Sequence, residues 1–249
     1  MTEKRVAALD LLKWVALITM VIDHGVYLAP DALNMLHVPG RVAFPLFCLV
    51  LATHVFRQQP GQLADSSNWA WIKKLVLYGV IAQPVFTLYI GAPTGDILFT
   101  LALGLALALA YHHRSTHKAA HVLFICVLIF SWQWRDFISY GLCGVLLPVA
   151  FVYALTQRTV ETWMAPAILA FAANFPEAAQ LNDLIITPVA TFQADNQLTV
   201  VGAVVAAVTC VIGLVVCKQR IPFKVPAVTG WAYGFYPAHL LFLALVSLI

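Results

Sequence analysis

The chain has 249 residues, 62% of them hydrophobic and 10% charged, with a mean hydropathy of +0.87. A soluble domain carries roughly 25% charged residues, so a soluble globular fold is excluded, and no polar block is long enough to form a second, soluble domain. A net charge of +3 is too small to imply a nucleic-acid partner, and residues 1–249 read as a single integral-membrane domain.

About nine helices are predicted, over residues 7–28, 42–57, 72–90, 97–112, 119–133, 138–156, 161–175, 198–217 and 228–249. The fold class is therefore all-α, a polytopic transmembrane helical bundle. A perpendicular span needs about 20 apolar residues, with a floor near 17. The fourth, fifth and seventh runs sit at or below that floor. The stretch Ile185–Phe192, interrupted by Pro188, reads as re-entrant or interfacial. The first run is too long for a signal-peptide core and lacks a small-residue cleavage site, so it is expected to be an uncleaved first span.

In the first helix Asp10 and Lys13 are three residues apart and can pair, which reads as a helix-locking ion pair; Lys13 can also snorkel. Asp10, Leu17 and His24 share a face. Asp23 and His24 are adjacent, so their side chains diverge by about 100° and can serve different neighbours. Ionisable groups are costly in hydrocarbon, which makes this pair a candidate site. Histidine also moves protons near neutral pH. A lone apolar-face histidine is more often a satisfied core residue. Here Asp23, Gly25 and the returning Arg41 favour function. Gly40-Arg41 opens the second helix after a short turn. Arg41 needs an anionic partner, either Asp23 or a substrate carboxylate, phosphate or oxyanion.

The connection Gln58–Asn68 (QQPGQLADSSN) reads as a flexible turn. Gln83-Pro84 in the third helix predicts a kink that frees a carbonyl, with Gln83 as a possible cavity contact. Phe99-Thr100 follows the turn GAPTGD. The segment His112–His121 (HHRSTHKAAH) reads as a solvated loop facing lipid headgroups, since it lacks metal-ligand spacing. Tyr140-Gly141 opens the sixth helix. The last carries Tyr236-Pro237-Ala238-His239, a proline-broken helix with a second titratable group. Cys48, Cys126, Cys143, Cys210 and Cys217 are scattered in apolar runs and read as packing residues, with no metal expected. Serine-hydrolase, Walker and dinucleotide-binding motifs are absent.

Lys and Arg set the orientation. With the N-terminus cytoplasmic, Lys4, Arg5, Arg57, Lys73, Lys74, Arg114, Lys118, Arg158, Lys218, Arg220 and Lys224 all fall inside. Only Arg41 and Arg135 fall outside, and the outer segment around Glu177, Asp183 and Asp195 has no Lys or Arg.

These residues together resemble the TraX family of conjugation-system membrane proteins. The opening K-x-x-A-x-x-x-M-x-x-D-H is matched by Lys13, Ala16, Met20, Asp23 and His24. G-R-x-A-F-P-x-F is matched by Gly40, Arg41, Ala43, Phe44, Pro45 and Phe47. Further matches are Gln83-Pro84, Phe99-Thr100, Tyr140-Gly141-x-x-Gly144 and Phe235-Tyr236-Pro237-x-His239-Leu240. The family looks like a compact relative of membrane acyltransferases with an R-x-x-x-L-D opening, which Arg5, Leu9 and Asp10 fit.

The resemblance implies acetylation of the N-terminal amine of a conjugative pilin, with acetyl-CoA as donor, in the bacterial inner membrane. It implies His24 as the base, oriented by Asp23 or another carboxylate, and Arg41 or a helix terminus at the oxyanion. His239 would act as second relay or transient acetyl carrier. Lys13, Arg57, Lys73 and Lys74 would hold the CoA phosphates, and Gln83, Tyr140 and Tyr236 would line the cavity. The alternatives are pilin cyclisation or another peptide-bond transfer, a non-catalytic pilin-binding scaffold, and a transporter, which the missing internal repeat disfavours.

Overall fold

The computed structural model of the protein describes residues 7–59, 61–174 and 197–249. Among these residues the chain is helical, with no strand. Nine helices of at least nine residues are described: α1 (Ala7–Gly25), α2 (Ala43–Phe56), α3 (Ser66–Ile90), α4 (Ile97–His113), α5 (Lys118–Gln133), α6 (Gly141–Gln157), α7 (Met164–Ala172), α8 (Gln197–Cys217) and α9 (Trp231–Val246). Lys4, Arg5, the acidic residues Glu177, Asp183 and Asp195, and the Ile185–Phe192 stretch lie outside the described residues.

Among the described residues, length and composition allow three stretches to cross a bilayer, Ala7–Leu28, Pro30–Phe56 and Gln197–Cys217; α4, α5, α6 and α9 are apolar but shorter. Side-chain placement follows the same solvent logic. In α5, Ala120, Val127 and Ser131 are buried while Val122, Ile125, Ile129, Phe130 and Trp132 face outward. A soluble protein hides such residues, and hydrocarbon accommodates them. The centre is α4, buried almost all round through Leu101, Leu105, Leu107, Ala108 and Leu109 and flanked by α2, α3, α5 and α6. Close approach there depends on Gly104, where a Cβ would meet the Pro148 ring of α6 at 2.8 Å.

Helix ends explain most departures from the predicted boundaries. The third helix starts at Ser66, not 72, because the Asp65 side chain accepts from the Ser67 amide at 2.8 Å. It runs unbroken through Pro84 and stops at Gly91, whose φ of +73° closes the last turn. The last helix likewise continues through Pro237 and is not proline-broken. A proline inside a helix removes one backbone bond, and neighbours within a membrane bundle absorb the loss. The sixth helix starts at Gly141, not 138, because Tyr140 adopts φ +62°. Between α1 and α2 there is no simple turn but a string of single helical turns, including Pro30–Leu33 and His37–Gly40.

The two histidine-rich and polar connections are also more ordered than their composition suggests. The Gly61 amide donates to His113 Nδ1 at 3.2 Å, His117 Nε2 meets the Gly61 carbonyl at 2.7 Å, and His112 Nε2 meets the Gln58 carbonyl at 3.1 Å. Gln58 and Asn68 exchange side-chain bonds. The His112–His117 segment therefore clamps the Gln58–Asn68 connection, where a solvated loop and a flexible turn were expected.

The constraint that positions the site is a parallel pairing of α1 with α9. Lys13 bridges Asp10 Oδ1 at 3.4 Å and the Val228 carbonyl at 3.2 Å, and the Val228 amide donates back to Asp10 Oδ1 at 3.3 Å. Trp14 Nε1 donates to the Pro226 carbonyl at 3.1 Å. Further along, His24 meets His239. The Lys13–Val228 and His24–His239 contacts share an offset of 215 residues. Two helices that keep one offset over several turns run parallel, side by side. α3 packs on α9 as well, through Tyr78 and Tyr233 with rings 5.7 Å apart, and reaches α1 where Tyr89 Oη donates to the His24 carbonyl at 2.9 Å.

At Gly40 an added Cβ would land inside the Asp23 carboxyl. The Gly40→Ala variant is therefore expected to lose about 1–3 kcal/mol of stability by overpacking. Gly25, with nothing within 4 Å of a built Cβ, is the control, and Gly25→Ala should melt like the parent chain. Thermal unfolding of both variants in detergent checks the difference.

Candidate functional site

Residue types dictate the local wiring. His24 closes the last full turn of α1 and is 8% exposed; His239 sits mid-way along α9 and is 6% exposed. His24 Nδ1 lies 2.7 Å from His239 Nε2, and the ring planes differ by 11° with centroids 5.0 Å apart. That separation equals the N···N distance plus the two ring radii, so the rings meet edge to edge in nearly one plane. They share an in-plane hydrogen bond and are not stacked face to face.

The direction of that bond follows from its neighbour. His239 Nδ1 lies 3.1 Å from the Phe235 carbonyl, one turn back on α9. A carbonyl only accepts, so Nδ1 carries the proton. In neutral His239, Nε2 is then an acceptor, and His24 Nδ1 must be the donor. A neutral His24 therefore keeps its bare lone pair on Nε2, which has no hydrogen-bond partner among the described residues. That is the arrangement of a proton acceptor held in a fixed tautomer.

Asp23, one residue earlier, points elsewhere, as the 100° divergence of adjacent helical residues requires. Its Oδ1 accepts from His37 Nδ1 at 3.0 Å. The short helical turn His37–Gly40 makes this possible, with Gly40 giving the carboxyl its room. Asp23 also interacts electrostatically with Arg41 and with His24. The group oriented on the His24 ring is thus a second imidazole, where a carboxylate was expected, and Asp23 serves His37 and Arg41.

Arg41 donates from Nη1 to Tyr140 Oη at 3.3 Å. The left-handed backbone of Tyr140 lays its ring on Phe44, 4.2 Å away and parallel within 6°. Arg41 Cγ packs against Gly202 of α8, 3.1 Å from where a Cβ would stand. Asp23 of α1, Tyr140 at the start of α6 and Gly202 of α8 thus converge on this one cation. Tyr236 completes the cluster, edge-on to His24 at 6.2 Å and to His239 at 5.5 Å. Tyr27 lies edge-on to His37 and Tyr89.

The structure brings together His24, Asp23, His239, Arg41, Tyr140 and Tyr236. It places Gln83 beside them in a structural role, accepting from the Asp96 amide at 2.8 Å and donating to the Thr94 carbonyl at 3.1 Å. Lys13, Arg57, Lys73 and Lys74 are not in the cluster. Lys13 is tied to Asp10 and Val228, eleven residues before His24, which is about 16 Å along a helix. Arg57, Lys73 and Lys74 are exposed toward that same end of the bundle.

Two residues passed over in the sequence belong to the site. His37 was hidden in LNMLHVPGR, where nothing marks a partner for Asp23. Asp96 was visible only as part of a turn. Its Oδ1 caps α4 by accepting from the Leu98 amide at 2.8 Å, and its Oδ2 is buried with no partner. Burial pushes this carboxyl up to about 7, against the opposing effect of the Leu98 and Phe99 amides.

Comparison with known proteins agrees with the sequence motifs. The family model described as TraX protein matches residues 8–247. The chain is similar to Protein TraX of Escherichia coli, 30% identical over 247 residues, covering 96% of this chain and 87% of that protein. Protein TraX of Escherichia coli (strain K12) is 26% identical over 247 residues, with the same coverage. An uncharacterized protein of Rickettsia prowazekii (strain Madrid E) is 30% identical over 157 residues, 60% of this chain and 57% of that protein. No solved structure gives a significant match. The chain belongs to the TraX family.

The bond directions above are measurable. Nitrogen-15 NMR of the histidine rings in lipid bilayers should show Nδ1 protonated on both His24 and His239, with His24 Nε2 bare. A His24 ring protonated on Nε2 and bare on Nδ1 would reverse the donor and remove the fixed acceptor.

Proposed function

We propose that this TraX-family protein is a membrane-embedded acetyltransferase that moves an acetyl group from acetyl-CoA to the N-terminal amine of a pilin subunit in the bacterial inner membrane. The observation that carries the reading is the imidazole pair. His239 fixes the His24 tautomer, so that the free lone pair is on Nε2. Amide formation from a thioester needs such a group, because the attacking amine must lose a proton as its C–N bond forms.

The reaction balances on the residues present. The amine nitrogen attacks the thioester carbonyl and His24 Nε2 takes its proton. The carbonyl oxygen becomes an oxyanion, for which the Arg41 guanidinium is the nearby cation. Asp23 and Tyr140 keep that guanidinium in place. The intermediate then collapses, the C–S bond breaks, and the proton on His24 passes to the departing CoA thiolate. Both ring nitrogens of His239 are already engaged, by Phe235 and by His24. This favours the relay role for His239 over that of an acetyl carrier.

The charge distribution supports the direction of supply. Lys13, Arg57, Lys73, Lys74, Arg114, Lys118, Arg158 and Lys218 fall in or beside connections at one end of the bundle; Arg41 and Arg135 belong to the other. A cytoplasmic basic end follows the positive-inside tendency and suits the phosphates of CoA. The pantetheine arm then has to reach from the Lys13 level to the His24 level.

His24→Ala is expected to lower acetylation by about 10²–10⁴-fold while membrane insertion is retained. Mass spectrometry of the pilin N-terminus, with parent and variant proteins, checks it. A gain of one acetyl group that depends on His24 supports the transferase. Loss of water in its place indicates cyclisation, and an unmodified pilin in both indicates a scaffold.

A further inference from the structure

We propose that the Asp96 carboxyl and the Tyr236 hydroxyl form the subsite that holds the acceptor's N-terminal ammonium beside the imidazole pair. The inference rests on the acetyltransferase reading and names the group recognised.

Two independent observations point to a ligand. Asp96 is fully buried, yet its Oδ2 has no hydrogen-bond partner. Tyr236, only 3% exposed, likewise has no partner for its hydroxyl. The two groups come from different elements, the turn before α4 and the middle of α9, and interact electrostatically with each other. Buried polar atoms are almost always satisfied, so two neighbouring orphans mark a place that something else fills. The cap of α4 does not need Asp96 Oδ2, because Oδ1 already accepts from Leu98. The Ile97 amide is directed at the phenol oxygen, but among the described residues no group within hydrogen-bonding geometry accepts the hydroxyl's own proton.

The chemistry of the two oxygens selects the ligand. An anion is repelled by the carboxylate. An apolar group leaves both oxygens unsatisfied. A primary ammonium brings three N–H donors and a positive charge, enough for both oxygens; one of its protons passes to the Asp96 carboxylate to free the nitrogen lone pair, and a second goes to His24 Nε2 as the C–N bond forms. The location fits as well, because the Tyr236 ring lies edge-on to His24 and His239 and its hydroxyl interacts electrostatically with the Asp96 carboxyl. Gln83 holds the Asp96 backbone and so acts as a positioning residue for the subsite. An amine already acetylated carries no charge and a single N–H, so product is released where substrate is held.

The test uses the full-length protein in lipid nanodiscs and a peptide with the mature pilin N-terminus, amine free. Asp96→Asn keeps a good helix cap and removes the charge; Tyr236→Phe keeps the ring and removes the hydroxyl. The KM for the peptide should rise about 10–100-fold in Asp96→Asn, the effect of losing a hydrogen bond to a charged group, and several-fold in Tyr236→Phe. The KM for acetyl-CoA should stay within about twofold in both. The same peptide acetylated in advance should bind parent and variants alike. An unchanged peptide KM in both variants, or peptide and acetyl-CoA KM values rising together, overturns the subsite while leaving the transferase standing. A parent protein that transfers no acetyl group to the peptide overturns the transferase reading, and the subsite with it.

Discussion

The site depends on the parallel contact between the first and last helices. Two imidazoles from opposite ends of a chain meet in one plane only if their helices run side by side at a fixed axial offset. Asp10, Lys13 and Val228 set that offset at one end, and His24 and His239 use it at the other. The apolar surfaces of α1 and α9 alone do not fix it, because hydrophobic contact is non-directional and allows sliding. A charged group bonded to a specific backbone carbonyl does not. The economy of the arrangement is physical: a shift by one turn would separate Lys13 from Val228 and His24 from His239 at once.

The polar cluster also has to survive burial. An isolated ion in a low-dielectric interior is strongly unfavourable, and a polar group without a partner is costly. The His24–His239–Phe235 chain meets this by hydrogen bonding, with the two rings joined along nearly one plane and the second ring tied to a backbone carbonyl. The Asp23–His37–Arg41–Tyr140 group meets it by bringing opposite charges together under a cover of Phe44 and Gly202. The two sets join at the sequence-adjacent pair Asp23 and His24, so a single helical turn supplies both a neutral proton acceptor and the anchor of a cation. Asp96 and Tyr236 are the exception, and for that reason they are the informative part of the cluster.

Much of this was legible in the chain. The apolar runs foretold every helix of nine residues or more among the described residues, since 3.6-residue geometry and burial of apolar surface leave few other folds for such a composition. Placement of His24, Arg41 and His239 in one cluster was foreshadowed by the cost of ionisable groups in hydrocarbon. The details that escaped are those set by tertiary contact. Nothing local in LNMLHVPGR says that His37 turns back onto Asp23. Asp96 looks like any helix-capping aspartate until α9 buries its second oxygen. The expectation that Pro237 breaks the last helix failed for a related reason: the ring removes one backbone bond, but whether a helix ends there depends on what packs around it.

The distance between the basic end and the cluster is the remaining physical step. Lys13 links the two, because it holds the chain before α9 at the basic end while lying on the same helix as His24. Phosphate recognition by exposed Lys and Arg loses strength with salt and desolvation, whereas proton transfer benefits from a dry, pre-oriented imidazole. In the proposed transfer, a separation of about three helical turns lets the basic end and the imidazole pair each keep the environment it needs. A long, flexible donor arm fits that separation, and a compact acyl donor would not need it.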